Sequence, residues 1–84
     1  MENLKMVVFL NKEMLITKIE EVPSELGEPD CRFIDPYLID KNGSLLPWLS
    51  DQTDQNIFMI HSDKILTIVD PNSKLIEKYS LIVK

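Results

Sequence analysis

The sequence has few of the residues that build catalytic and metal sites, with one cysteine, one histidine and two glycines among its 84 residues. A single cysteine excludes a disulfide within the chain, and one Cys with one His cannot complete a structural zinc site. Cys31 is therefore interpreted as a small buried apolar residue. Gly27 and Gly43 lie too far apart in the chain to form a phosphate-binding loop.

No catalytic arrangement is recognisable either. His61, Ser62 and Asp63 are consecutive, and neighbours in a strand point to opposite faces, so they do not predict a Ser-His-Asp triad. The oxygen-rich segments DKNGS (40–44) and DQTDQN (51–56) lack the ligand spacing of a calcium loop and are interpreted as turns. We therefore expect no enzymatic activity, no metal site and no cofactor.

Positive charge is also scarce, since nine Lys and Arg stand against fourteen Asp and Glu, for a net charge of -5. An acidic surface repels polyanions, so a site for nucleic acid must be a small local patch. The apolar stretch at 6–10 is too short for a secretion signal or a membrane span. We therefore expect a cytoplasmic protein without a membrane partner.

The apolar residues that are present form short runs typical of β-strands. Segments 6–10 and 14–22 predict a hairpin, and 57–69 predicts a pair of strands around a polar turn. Segment 31–40 predicts a strand that is bulged, split or at an edge, because Pro36 has no N–H donor. About five short antiparallel strands predict a mainly β fold, a small barrel of the SH3-like or OB kind. A split βαβ sandwich is the alternative, although it needs more helix than we find.

The segment 41–55 is long for a hairpin connection and carries the apolar residues Leu46, Trp48 and Leu49. We expect it to fold back on the core or to be covered by a partner. Trp48 is interpreted as a stacking platform for a ligand or as a buried apolar anchor. The segment is therefore a candidate partner surface.

The C-terminal part predicts a short helix over about residues 71–80, with Asp70 as N-cap and Pro71 at the first helical position. The whole chain, 1–84, is predicted to be one domain. A core this small is only marginally stable alone, which makes oligomerisation a reasonable expectation.

The stretch MIHSDKI (59–65) resembles the second sequence motif of Sm and Sm-like (LSm/Hfq-like) proteins, in which an Ile-Arg-Gly turn joins two strands. Ile60 stands at the place of the motif's Ile, His61 at its Arg and Ser62 at its Gly. Ile65 takes the closing apolar position. The resemblance therefore places the chain's only histidine at a functional position of that family.

The stretch VFLNKEMLITKI (8–19) resembles the first Sm motif, with Lys12 and Thr17 in place of its two glycines. The motif-like segments are 6–22 and 57–70, and the acidic composition and long middle loop resemble the divergent Sm-like proteins of bacteriophages. The positions that match the first motif are Val8, Leu10, Asn11, Glu13 and Ile19.

The resemblance implies a strongly bent, five-stranded Sm-like barrel that closes into a homo-oligomeric ring of about five to seven subunits. In such rings the fourth strand of one subunit pairs with the fifth strand of the next. The implied subunit interface comprises Phe58, Ile60, Leu66 and Ile68.

Sm-like rings bind single-stranded, often U-rich RNA around their pore, so the resemblance implies RNA binding by His61, Ser62 and Lys64. The family's other RNA-contacting loop falls on residues 23–27, where Pro23 and Gly27 replace its Asp and Asn. The implied setting is the cytoplasm of a bacterial or phage-infected cell. The alternative function is an oligomeric structural or protein-interaction module without RNA binding.

Overall fold

The described residues form a mainly β structure with one helix near the C-terminal end. The computed structural model describes residues 3–83, so Met1, Glu2 and Lys84 of the predicted domain lie outside the described residues. No helix in that range is long and apolar enough to cross a membrane. The elements are β1 Leu4–Phe9, β2 Met14–Glu21, β3 Cys31–Ile39, β4 Leu45–Pro47, β5 Ile57–Ile60, a 3₁₀ turn Ser62–Lys64, β6 Ile65–Val69 and α1 Ser73–Ile82.

All the strands belong to one antiparallel sheet in the order β4-β3-β2-β1-β6, with β5 also paired to β3. The long strand β3 pairs with β2 along one edge. Along its other edge, Cys31–Ile34 pairs with β5 and Tyr37–Ile39 pairs with β4. The predominantly β fold with a short C-terminal helix is therefore confirmed.

The sheet is not closed in the described residues, so the predicted barrel is not confirmed. The strand pair predicted at 57–69 is corrected. Both strands of that pair are present, but β5 pairs with β3 whereas β6 pairs with β1. The two strands take their ladder hydrogen bonds from opposite ends of the sheet, so the turn between them is not a hairpin turn. The described part of the chain leaves an opening between β5 and β6.

The predicted loop 41–55 contains a short strand, so the sheet has six strands rather than five. In this strand, β4, Leu45 pairs with Ile39 and Pro47 pairs with Tyr37. A proline is tolerated because β4 is an edge strand, where one N–H would otherwise face away from the ladder.

Pro36 lies in a β-bulge, which selects one of the three alternatives predicted for it. Between two paired positions, Asp35 and Pro36 of β3 lie opposite the single residue Thr17 of β2. The hydroxyl of the fully buried Thr17 lies 3.1 Å from the carbonyl oxygen of Ile34, within hydrogen-bond distance. The bulge leaves Asp35 with a φ of 51°, in the left-handed region.

The core lies on both faces of the sheet. On one face is a sheet cluster, in which the ring centroids of Phe9 and Phe33 lie 6.0 Å apart. On the other face is a helix cluster, which α1 joins through the fully buried Tyr79. The sheet cluster comprises Val7, Phe9, Leu15, Cys31 and Phe33, and the helix cluster comprises Leu4, Ile16 and Tyr79.

Cys31 is buried, as the sequence predicts, and its burial raises the pKa of the thiol. The neighbouring carboxylate of Asp30 raises that pKa further. The neutral thiol therefore acts here as a small apolar side chain of the sheet cluster.

The helix begins two residues later than the prediction. Its N-cap is Asn72, whose side chain accepts a hydrogen bond from the N–H of Leu75 at 2.9 Å. Asp70, the predicted N-cap, instead forms an ion pair with Lys5. Pro71 consequently lies before the cap rather than in the first turn.

Candidate functional site

The predicted RNA-binding residues lie together in the turn between β5 and β6. His61 precedes the 3₁₀ turn, and its carbonyl oxygen accepts a hydrogen bond from the N–H of Lys64 at 3.1 Å. Ser62 begins the turn, and all three residues are exposed. The turn therefore presents an imidazole, a hydroxyl and an ammonium group in one small area of surface.

Asp30 fixes this turn from the other side of the β5–β3 ladder. Its carboxylate accepts hydrogen bonds from the N–H of Ser62 at 2.8 Å and from the Ser62 hydroxyl at 2.5 Å. The N–H of Asp30 donates to the carbonyl oxygen of Ile60 at 3.2 Å. Asp30 and Ser62 are 32 positions apart in the chain, so no local sequence pattern indicated the contact.

The hydrogen bonds from Ser62 hold the pKa of the Asp30 carboxyl below its ordinary value, the hydroxyl contributing most. We expect Ser62→Ala to raise the pKa of Asp30 towards its ordinary range, because the charged carboxylate loses its strongest donor. A titration of the Asp30 carboxyl carbon by NMR measures the change. Ser50→Ala, in another loop, is the matched control and should leave this titration unchanged.

The lowered pKa of Asp30 determines how its hydrogen bonds make the stability of the fold depend on pH. The hydrogen bonds to Asp30 stabilise the folded state at pH values above the ordinary carboxyl pKa, and this contribution is lost as the pH falls through the lower folded-state pKa. Ser62→Ala should reduce the part of the free energy of unfolding that is lost at low pH. An unchanged pKa of Asp30 in Ser62→Ala would contradict the assignment of the hydroxyl as its main cause.

A cavity of about 200 Å³ lies between this turn and the loop 23–30. These are the two segments that the resemblance to Sm-like proteins assigns to RNA contact. The cavity is also acidic, because Glu28, Asp30 and Asp63 line it together with His61. Any phosphate group bound here therefore meets nearby negative charge, and Lys64 is the cationic residue of the same turn.

The residues predicted for the subunit interface fall into two groups. Ile60 packs against the sheet cluster, and the ring of Phe58 meets that of Trp48 edge-on at a centroid distance of 5.1 Å. Leu66 and Ile68, in contrast, are 54% and 47% exposed. Ile60 thus packs against the core and Phe58 against Trp48, whereas Leu66 and Ile68 present apolar surface to solvent.

The strands β5 and β6 carry more uncovered apolar surface than the prediction named. Each also has an edge that no strand of the described chain pairs with. Such edges present unpaired backbone donors and acceptors and favour pairing with another chain. The apolar residues of the two strands that are 40–54% exposed are Ile57, Met59, Leu66, Ile68 and Val69.

The predicted partner loop is divided in the same way. Leu46 and Leu49 are 49% and 42% exposed, whereas Trp48 packs against the sheet cluster with its ring 5.8 Å from that of Phe9. Trp48 therefore anchors the segment 41–55 to the core and leaves the two leucines at the surface.

The described residues, 3–83, contain no group of three or more His, Cys, Asp and Glu side chains placed to hold a metal ion. Comparison with protein families matches residues 2–84 to the model described as a family of unknown function, DUF6561. Comparison with curated proteins found no significant match.

Proposed function

We propose a function from the residues of this chain, which belongs to the family of unknown function DUF6561. The chain is the subunit of a homo-oligomeric, Sm-like ring that binds single-stranded RNA at the turn formed by residues 61–64. Its place of action is the cytoplasm of a bacterial or phage-infected cell. The observation that carries the proposal concerns β5 and β6, the strands before and after that turn. Each has exposed apolar residues and an edge that no strand of the described chain pairs with.

The backbone at the first motif-like segment supports the Sm-like part of the proposal. Lys12, which stands at the motif's first glycine, has a φ of 75°, a value that glycine adopts without strain. Thr17, at the second glycine, is fully buried opposite the bulge of β3. The first position thus has the backbone conformation that a glycine adopts, whereas at the second a threonine side chain fills buried space.

The edges support the ring. If β6 of one subunit pairs with β5 of the next, both ladders continue across the interface and the exposed apolar residues of β5 and β6 become covered. Such a contact is head-to-tail, so repeating it closes a ring when the rotation between subunits allows. A small core also gains stability from the added burial.

The exposed residues of the turn support RNA binding. His61 offers a ring on which a base can stack, and Lys64 offers the charge for a phosphate. Each stacked base contributes about 1–3 kcal/mol in single-strand complexes, and this contribution survives in an acidic setting because it does not depend on net charge. Stacking rather than phosphate attraction therefore supplies most of the affinity.

The test is the binding of a fluorescent oligo-U strand, followed by anisotropy at low salt. We expect saturable binding that weakens as salt rises, and a loss of about tenfold or more in His61→Ala/Lys64→Ala, since one stacking contact and one phosphate contact are removed. The matched control is Asn42→Ala/Lys41→Ala, which changes the charge equally in a distant turn. Absent binding at low salt, or unchanged binding in the first double variant, would contradict the RNA site.

A second candidate function is a protein-interaction module, and the acidic lining of the cavity at residues 61–64 favours it. In that case the partner binds through the segment 41–55, where Leu46 and Leu49 are exposed. Such an apolar contact is insensitive to salt, in contrast to RNA binding. The same oligo-U titration therefore separates the two functions.

A further inference from the structure

A second cavity, of about 230 Å³, lies away from the 61–64 turn, between the bulge of β3 and the segment 50–56. Trp48 and Phe58 line it together with Asp35 and Asp54, and Tyr37 also lines it while its ring packs against Tyr79 in the helix cluster. Its volume is below the roughly 300–1,000 Å³ of sites for drug-sized molecules, so it suits a single side chain.

The aromatic side of this cavity is held rigidly. The rings of Trp48 and Phe58 lie at 65° to each other with centroids 5.1 Å apart, and Trp48 also packs against Phe9. A ligand therefore meets aromatic surface whose position is already fixed by the core, which lowers the entropy lost on binding.

The acidic side is fixed by hydrogen bonds. The carboxylate of Asp35 accepts a hydrogen bond from the Asn56 side chain at 2.9 Å, and the N–H of Asp35 donates to the Asn56 carbonyl oxygen at 2.7 Å. The Lys18 ammonium lies 3.7 Å from the other carboxylate oxygen of Asp35. The carboxylate is thus held at the cavity, and it already attracts a cation from outside the lining.

The backbone around the cavity is strained at two positions. Asp35 has a φ of 51° and Leu49, between the lining residues Trp48 and Ser50, has a φ of 60°. Among the described residues only Lys12, in the β1–β2 turn, shares this conformation without being glycine. Strain of this kind collects at ligand sites, where the surrounding structure maintains it.

The chemistry of the lining selects a cation. None of the described residues that line the cavity is Lys or Arg, while aromatic faces and carboxylates both attract positive charge. A guanidinium matches this combination best, because it stacks flat on an aromatic ring and donates hydrogen bonds to a carboxylate from its edge. We propose that the cavity binds the arginine side chain of a partner peptide. This inference deepens the second candidate function by naming the chemistry of its ligand.

The test uses Trp48, the only tryptophan of the chain, as a fluorescent reporter within the site. The full chain is titrated with acetyl-Gly-Arg-Gly-amide, with its citrulline analogue as the neutral control and with tetramethylammonium as a non-planar cation. We expect a saturable change for the arginine peptide, a weaker one for tetramethylammonium and none for citrulline. Equal responses to arginine and citrulline, or a response to tetramethylammonium alone, would overturn the proposal.

A pair of variants links the response to the carboxylates. Asp35→Asn/Asp54→Asn should weaken binding of the arginine peptide by about tenfold, since it removes the partners of the guanidinium edge. Asparagine tolerates the positive φ at residue 35, so the fold is kept. The matched control, Glu25→Gln/Glu77→Gln, makes the same charge change at two exposed positions outside the lining and should stay within about twofold.

An equal loss of affinity in both double variants would show a general charge effect and overturn the assigned site. The result is independent of the RNA proposal, because that proposal depends on His61 and Lys64, which do not line this cavity. A chain that binds oligo-U but not the arginine peptide keeps the first proposal and loses this one, and the reverse result separates them equally well.

Discussion

Replacing Tyr79 with alanine is expected to lower the free energy of unfolding by about 3–5 kcal/mol, the usual cost of removing a large buried aromatic side chain. Tyr79 is fully buried, and it is the residue through which α1 joins the helix cluster with Leu4 and Ile16. Its ring also meets that of Tyr37 edge-on at a centroid distance of 5.9 Å. The total free energy of unfolding of a small domain is about 5–15 kcal/mol. Urea unfolding followed by circular dichroism should therefore show a large shift of the midpoint urea concentration.

Two further variants identify the source of that loss. Tyr79→Phe keeps the ring but removes the hydroxyl that donates to the Asp35 carbonyl oxygen at 2.9 Å, so it should cost about 1–3 kcal/mol. Leu81→Ala, on the same helix but 72% exposed, is the control and should change stability by no more than about 0.5 kcal/mol. Similar losses for Tyr79→Ala and Leu81→Ala would mean that α1 does not dock through Tyr79.

The hydroxyl of Tyr79 also joins α1 to the bulge of β3. The bulge in turn forms one wall of the cavity proposed to bind arginine. Burial raises the pKa of Tyr79, so the phenol stays protonated and remains a donor at neutral pH. The strained Asp35 thus has its carbonyl oxygen held by α1 and its carboxylate held by Asn56. A helix at the end of the chain thereby contributes to the shape of a site formed by the middle of the chain.

Local patterns in the sequence predicted the first three strands closely, because β-branched and aromatic runs bounded by turn residues are a local signal. They missed β4, since a strand that contains Pro47 within LLPWL looks like a loop unless its partner on β3 is known. They also paired β5 with β6, as adjacent strands commonly pair. The partner of each of these strands depends on the whole sheet, and here β5 pairs with β3 and β6 pairs with β1.

The candidate site shows the same division between local and distant information. The turn with His61 was visible in the sequence because a polar break interrupts an apolar run. The carboxylate of Asp30 that fixes this turn was not, since it comes from the far end of another loop. The cavity proposed to bind arginine was equally hidden, because its walls come from the bulge of β3 and from the segment 50–56, and only the folded sheet brings them together.

The second large effect is expected on the mass in solution. The chain of 9.8 kDa should behave as a homo-oligomer of several subunits in native mass spectrometry, because the unpaired edges of β5 and β6 cover one another in the proposed ring. Met59→Lys on β5 and Leu66→Lys on β6 should each reduce this to a monomer. Both side chains are about half exposed in the single chain, at 51% and 54%, so a lysine is tolerated there before assembly. A lysine buried without a partner in an apolar contact costs several kcal/mol.

Mixing the two variants tests the head-to-tail geometry itself. A subunit with Met59→Lys keeps an intact β6 edge, and a subunit with Leu66→Lys keeps an intact β5 edge, so one intact contact remains between them. The mixture should therefore form a dimer of one copy of each and no larger species, since every further contact involves a damaged edge. Leu26→Lys, in a fully exposed loop position, is the control and should leave the oligomer unchanged. A monomeric wild-type chain, or a mixture that stays monomeric while each variant is folded, would contradict pairing between β5 and β6.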